Sequence, residues 1–282
     1  MSTVRSQDGT TLAYDRIGEG PALVIIGGGG ATDRSVNAPL AGLLADSFTV
    51  YNYDRRGSGE SGDTEPFTVE RVYQDLDAVI REAGGQAYVF GSSGGGIIGL
   101  EAVLNGLPIT KLAVWEAPYI IDDSRPPVPV DYLDRLVALR EQGRRGDMVE
   151  LFLTAAVGLP AEFVTPMRGM PMWPGMEKAA HTLIYDAMVV GDFSLSAERM
   201  AGVAIPTLVL DGGTMPWATN SAEASPPPFP PRGARRWPGS RTTSTPPPSP
   251  RRCAPSSRPD FEFLPDVGSG GQGEGLARPG PS

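Results

Sequence analysis

The stretch Tyr88-Val-Phe-Gly91-Ser92-Ser93-Gly94-Gly95-Gly96-Ile97-Ile98 limits what this chain can fold into more than any other. An apolar run enters a cluster of residues with almost no side chain, and a second apolar run leaves it. The pattern reads as a strand, a sharp turn and a helix, with G-x-S-x-G spacing at Gly91, Ser93 and Gly95. Small residues are required at such a turn. The central serine sits on strained backbone, and a Cβ on either side would run into the neighbouring strand or helix. A serine held this way presents its Oγ at the sheet edge. The Gly94 N–H, at the helix N-terminus, then points to where negative charge develops when a carbonyl is attacked. Ser93 is the candidate nucleophile, and Ser92 occupies the variable position. A plain glycine-rich turn is the alternative. A phosphate loop is disfavoured, because no Lys follows either glycine cluster, and Asp33 stands where a G-x-G-x-x-G begun at Gly28 needs its last glycine.

The flanking sequence supplies the rest of a layered fold. Thr10 to Ile17 alternates in the manner of an edge strand. Ala22 to Ile26 is a short buried strand running into Gly27 to Gly30, and Phe48 to Tyr53 is a third. Apolar residues at Val69, Val72, Leu76, Val79 and Ile80 follow a helical period over 68–83, which stops at Gly84-Gly85. Strands follow at Ala87 to Phe90, Lys111 to Trp115 and Ile205 to Asp211, with a helix from about Gly95 to Leu104 and only helices over 126–200. Strands alternating with helices predict an α/β fold, a mostly parallel sheet flanked by helices. The expected division is a first part of the core over 1–124, a helical cap over 125–200, a late core strand over 201–220 and a disordered tail over 221–282. The cap would cover the C-terminal strand ends, where ligands bind in such sheets.

Composition separates the tail from the body. From Ser225 onward the chain carries 15 Pro, 8 Arg and no Lys, for a charge of +4, against −13 for the remainder. Proline at that density blocks both helix and central strand, and no apolar period survives there. The net charge of −9 disfavours nucleic acid and anionic membranes as partners. One Cys excludes an internal disulfide, and with one His it disfavours a zinc cage. The first residues lack the apolar run of a signal peptide, and a cytoplasmic location is expected. The methionine-rich stretch Met167, Met170, Met172, Trp173 and Met176 is read as core of the helical segment.

Asp54-Arg55-Arg56-Gly57-Ser58-Gly59-Glu60-Ser61 matches D-x-R-G-x-G-x-S, a segment that follows the fourth strand of the α/β-hydrolase fold. With the Ser93 turn, the glycines after Ile26 and the late strand, the chain resembles α/β-fold hydrolases with a helical cap, of actinobacterial type, from about Ser2 to Asn220. The resemblance implies a cofactor-free hydrolase with a small-molecule substrate, but the fold hosts many reactions and does not select one. It implies the Gly29 N–H as second oxyanion donor beside Gly94. Asp54 and Arg56 are given a structural part, with Arg56 tying the loop to the carboxylate.

The same resemblance leaves the catalytic acid open and the base missing. The commonest position for the acid falls on Thr214-Met215, so Asp211 and Glu116 are the candidates, each with a solvated carboxylate as its alternative. A serine nucleophile needs a neighbouring base, which the family places in a His after the eighth strand. The sole His here, His181, precedes the late strand and is read as a helical residue lining or bordering the pocket, with a relocated catalytic base as the alternative. A shifted reading frame from about Ala224-Ser225 accounts for both the tail and the gap. Arg241 to Pro250 written in G- or C-ending codons and read two bases on becomes Asp-His-Val-Asp-Pro-Ala-Ala-Leu-Ala. A genuine proline-rich binding tail is the alternative.

Overall fold

A computed structural model describes residues 1–212 except 31 and 124. The expected tail, and residues 213–220 of the expected late core segment, lie outside the described residues.

Seven strands form one sheet in the order β1-β2-β4-β3-β5-β6-β7. They are β1 (Ser2–Arg5), β2 (Thr11–Ile17), β3 (Ala22–Ile26), β4 (Thr49–Tyr53), β5 (Ala87–Ser92), β6 (Ile109–Trp115) and β7 (Thr207–Leu210). β1 and β2 run antiparallel to their neighbours, and the other pairings are parallel. Parallel strands must be buried on both faces, and all five residues of β4 and four of five in β3 are buried.

Thr10 to Ile17 is not the edge strand. β1 pairs along it, from Ser2 opposite Tyr14 to Arg5 opposite Thr11. The turn between them is closed by Ser6 N–H donating to the Thr10 carbonyl at 2.8 Å, with Gly9 at φ +86°. Asp8-Gly9 is a hairpin dipeptide, and glycine takes the positive φ without steric cost.

Helix α1 (Ala38–Leu44) follows β3. Helix α2 (Val69–Glu82) turns Val72, Leu76, Val79 and Ile80 into the main core, and α3 (Gly94–Leu104) follows β5. Between β6 and β7 the chain is helical: α4 (Tyr132–Glu141), α5 (Arg145–Leu151), α6 (Ala161–Val164), α7 (Trp173–Lys178), α8 (Thr182–Val190) and α9 (Ala197–Met200). These helices bury an apolar cluster of their own, including Leu136, Met148, Val164 and Leu183. Trp173 and Met176 belong to that core, but Met170 and Met172 are exposed, because they lie in the turn ahead of α7 rather than on its inner face. Among the described residues no helix is long and apolar enough to cross a membrane.

Candidate active site

The turn between β5 and α3 has the strained geometry that its glycines imply. Ser93 lies at φ 51°, ψ −124°, a conformation costing a non-glycine residue about 1–3 kcal/mol. Its N–H donates to the Trp115 carbonyl on β6 at 2.7 Å, and its carbonyl accepts from Gly96 N–H at 2.9 Å. A Cβ on Gly91 would stand 2.3 Å from the Gly95 carbonyl oxygen, and one on Gly95 would stand 2.4 Å from that of Ile26. The turn is therefore closed on itself and seated on the end of β3. Ser93 is exposed, while Gly94 behind it is buried.

That seating brings the glycine run after β3 against the same turn. A Cβ on Gly28 would lie 3.3 Å from the Ser93 Cβ, and one on Gly94 would lie 3.6 Å from the Gly29 nitrogen. Ser93, Gly94 and Gly29 thus stand together at the C-terminal edge of the sheet.

Glu116 and Asp211 come to the same edge. Ser92 is in register with Trp115, and Trp115 with Leu210, so Ser93, Glu116 and Asp211 each follow the last paired residue of adjacent strands. Glu116 has φ 48°; its N–H donates to the Leu210 carbonyl at 2.9 Å, and its carboxylate accepts from Gly212 N–H at 2.8 Å. The two residues stand side by side at the ends of β6 and β7.

His181 stands elsewhere. Its Nε2 lies 3.2 Å from the Asp63 carboxylate and packs against Gly57, and the same carboxylate oxygen accepts from Tyr185 at 2.9 Å. Burial pushes the Asp63 carboxyl up, but these two hydrogen bonds outweigh it and hold the group below its ordinary value.

The D-x-R-G-x-G-x-S loop departs from expectation in one pairing. Arg56 does not tie the loop to Asp54. It forks onto Asp75 of α2 through two hydrogen bonds of 2.7 Å and reaches Asp8 at 3.0 Å. Asp54 is held by Arg34, whose backbone N–H donates at 2.7 Å and whose guanidinium pairs with it, and by Glu60 N–H at 2.8 Å. The partners lie on separate elements, and sheet packing, not motif spacing, chose between them.

Two residues near the glycine run were not singled out from the sequence. Asp186 of α8 accepts from Gly30 N–H at 3.2 Å and pairs with Arg55 at 2.7 Å. Burial pulls the Arg55 guanidinium down, but Asp186 outweighs it and holds it above its ordinary value. Arg55 fills the variable place in its motif, and nothing local marks Asp186. Among the described residues no three His, Cys, Asp or Glu side chains are grouped to hold a metal ion.

A parallel sheet with two antiparallel strands at one end, a strained serine turn after β5 and a helical segment between β6 and β7 define an α/β hydrolase. The family model described as "Alpha/beta hydrolase family" matches residues 23–269, and the chain belongs to that family. It is 52% identical to an alpha/beta hydrolase of known structure from Sphaerobacter thermophilus DSM 20745, over 83% of this chain and 91% of that one, with a TM-score of 0.78. It is 37% identical over 98 residues to the uncharacterized hydrolase YraK of Bacillus subtilis (strain 168), which is 33% of this chain and 35% of YraK. It is 31% identical over 97 residues to the proline iminopeptidase PfmaB of Pestalotiopsis fici, 32% of this chain and 34% of PfmaB. The chain therefore spans about a third of the length of these two curated relatives.

Proposed function

We propose that this chain is a serine hydrolase of the α/β fold, acting on a small, fairly apolar ester or related carbonyl compound beneath the helical segment. One observation carries the reading: Ser93 is exposed on a φ 51° turn with the Gly94 and Gly29 amides beside it. Strain of this kind persists only where surrounding structure over-determines it, and it concentrates at reactive positions.

In this reading the Ser93 Oγ adds to the substrate carbonyl carbon as its proton passes to a base. The carbonyl π pair moves onto oxygen, which the Gly29 and Gly94 N–H groups face. Collapse breaks the bond to the leaving alkoxide, which takes the proton, and leaves an acyl-Ser93 ester. Water repeats the addition and releases the acid. Asp211 or Glu116 would orient a His base that this chain lacks. No cofactor takes part.

The base itself is the gap. The only His of the chain pairs with Asp63, which favours a second reading, a small-molecule-binding protein that keeps the pocket without turnover. A fluorophosphonate probe together with p-nitrophenyl acetate turnover separates the two. Ser93-dependent labelling with measurable hydrolysis supports the hydrolase, and neither signal supports the binding protein.

A further inference from the structure

We propose that Asp186, with Arg55 as its counter-charge, is the positioning residue of the Gly29 amide, so that the helical segment itself holds the oxyanion loop in its working geometry. The inference rests on the serine-hydrolase reading and deepens it.

Gly27 to Gly30 is four glycines in succession, the least restrained backbone a chain can have. An oxyanion donor acts only if held about 2.7–3.1 Å from the oxygen it serves, and losing one costs about 100- to 1,000-fold in rate. Something outside the loop must supply rigidity. One carboxylate oxygen of Asp186 does so: it accepts from Gly30 N–H at 3.2 Å and stands 2.7 Å from the position of a Cβ on Gly29. That contact fixes the peptide following Gly29 and leaves no room there for any side chain. Phe152 closes the other side, its ring edge 3.0 Å from the position of a Cβ on Gly30.

The charge arrangement supports a positional part over an electrostatic one. A carboxylate beside a developing oxyanion opposes it, and a lone buried carboxylate is costly in itself. Here the other Asp186 oxygen meets the Arg55 guanidinium at 2.7 Å, and both side chains are largely buried. The pair is close to neutral toward the site. What remains is a rigid acceptor with a fixed direction, tied to the loop after β4 and carried by α8.

The test is the rate of Ser93 phosphonylation by a fluorophosphonate probe in the full chain. There Oγ–P forms as P–F breaks, fluoride leaves, the hydroxyl proton goes to solvent, and the phosphoryl oxygen takes the oxyanion place. Asp186→Ala is expected to lower the maximal labelling rate about tenfold or more, with probe affinity changed less than about threefold, the split expected of a group acting on the transition state. Asp186→Asn keeps an acceptor oxygen and is expected to retain most of the rate. The double variant Asp186→Ala/Arg55→Leu removes the stranded cation and is expected to regain thermal stability while staying slow. A rate that returns with stability, an Asn variant as slow as the Ala variant, or an Ala variant as fast as the parent overturns the proposal while leaving the serine reading in place. Absent parent labelling, or labelling that survives Ser93→Ala, overturns the serine reading and this inference with it.

Discussion

His181 Nε2 lies 3.2 Å from the Asp63 carboxylate, and Tyr185 donates to the same oxygen at 2.9 Å. The one imidazole of the chain therefore ties the start of α8 to the loop after β4. His181→Ala is expected to leave Ser93 labelling within about twofold while lowering stability by roughly 1 kcal/mol, the scale of a partly buried hydrogen bond. Because Asp63 is held below its ordinary value, the carboxylate contributes stability above the usual carboxylate range and loses it as pH falls through its own lowered value. Urea unfolding of parent and variant at neutral and acid pH checks the sign. Loss of all labelling in His181→Ala would instead make this residue the base.

The nucleophile assignment discriminates between adjacent serines. Ser93→Ala is expected to abolish fluorophosphonate labelling. Ser92→Ala, altering the last residue of β5, is expected to keep much of it. Equal labelling of Ser93→Ala and parent sinks the assignment.

Backbone closure at the turn leaves no room for a methyl group. Gly91→Ala would place its Cβ 2.3 Å from the Gly95 carbonyl oxygen, and Gly95→Ala 2.4 Å from that of Ile26. Backbone cannot step aside as a side-chain end does, so each substitution is expected to cost about 1–3 kcal/mol or more. Denaturant titration reads the loss. Gly84→Ala, where a Cβ meets nothing within 4 Å, serves as the comparison, carrying only the strain of its φ of +109°.

Acid sensitivity has an identifiable contributor. Burial pushes the Asp8 carboxyl up, but hydrogen bonds from Arg56 and from the Thr10 hydroxyl and amide bring it down to about 2. A depressed carboxyl stabilises the fold above its ordinary value of 3.8 and loses that contribution as pH falls toward about 2. Asp8→Asn is expected to be less stable at pH 7 and to show a shallower decline between about pH 4 and pH 2. Parallel unfolding curves for parent and variant would refute this.

A missing base predicts slow chemistry. Losing a triad member leaves roughly 1,000- to 10,000-fold catalysis over water, supplied by the oxyanion hole and binding. The chain as written is expected to hydrolyse p-nitrophenyl acetate at about that residual level. Sequencing the DNA across codons 215–282 tests for a shifted frame. Restoring the other frame from about codon 224 is expected to raise the rate by orders of magnitude, and changing the restored His to Ala is expected to abolish the gain. Ordinary enzyme rates from the present chain would refute this account.

Much of the architecture was legible in local pattern. The β3, β4 and β5 runs, the α2 period and the small-residue turn at Ser93 each follow from a few neighbouring side chains whose volume and branching admit one backbone solution. The same holds for Glu116 and Asp211, which a strand-end position brings to one sheet edge. Where the reading slipped, a competing signal was local too. Asp8-Gly9 marks the hairpin that moves β2 inward, but the partner strand has only four residues, Ser2 to Arg5, too few to show a strand period.

The sequence by itself determined the small-residue turn at Ser93, the alternation of strand and helix, and the absence of a histidine where the family pattern expects one. These depend on residue type and short spacing alone. Only the tertiary structure decided which charged side chains meet. Arg56 joins Asp75 and Asp8 instead of Asp54, His181 joins Asp63, and Asp186 reaches Gly30 from 156 positions along the chain. A long, flexible charged side chain has many partners within reach in an unfolded chain. The packing of α2 and α8 against the loops after β3 and β4 leaves each of them only one or two opposite charges or donors within reach, and desolvation makes that choice binding.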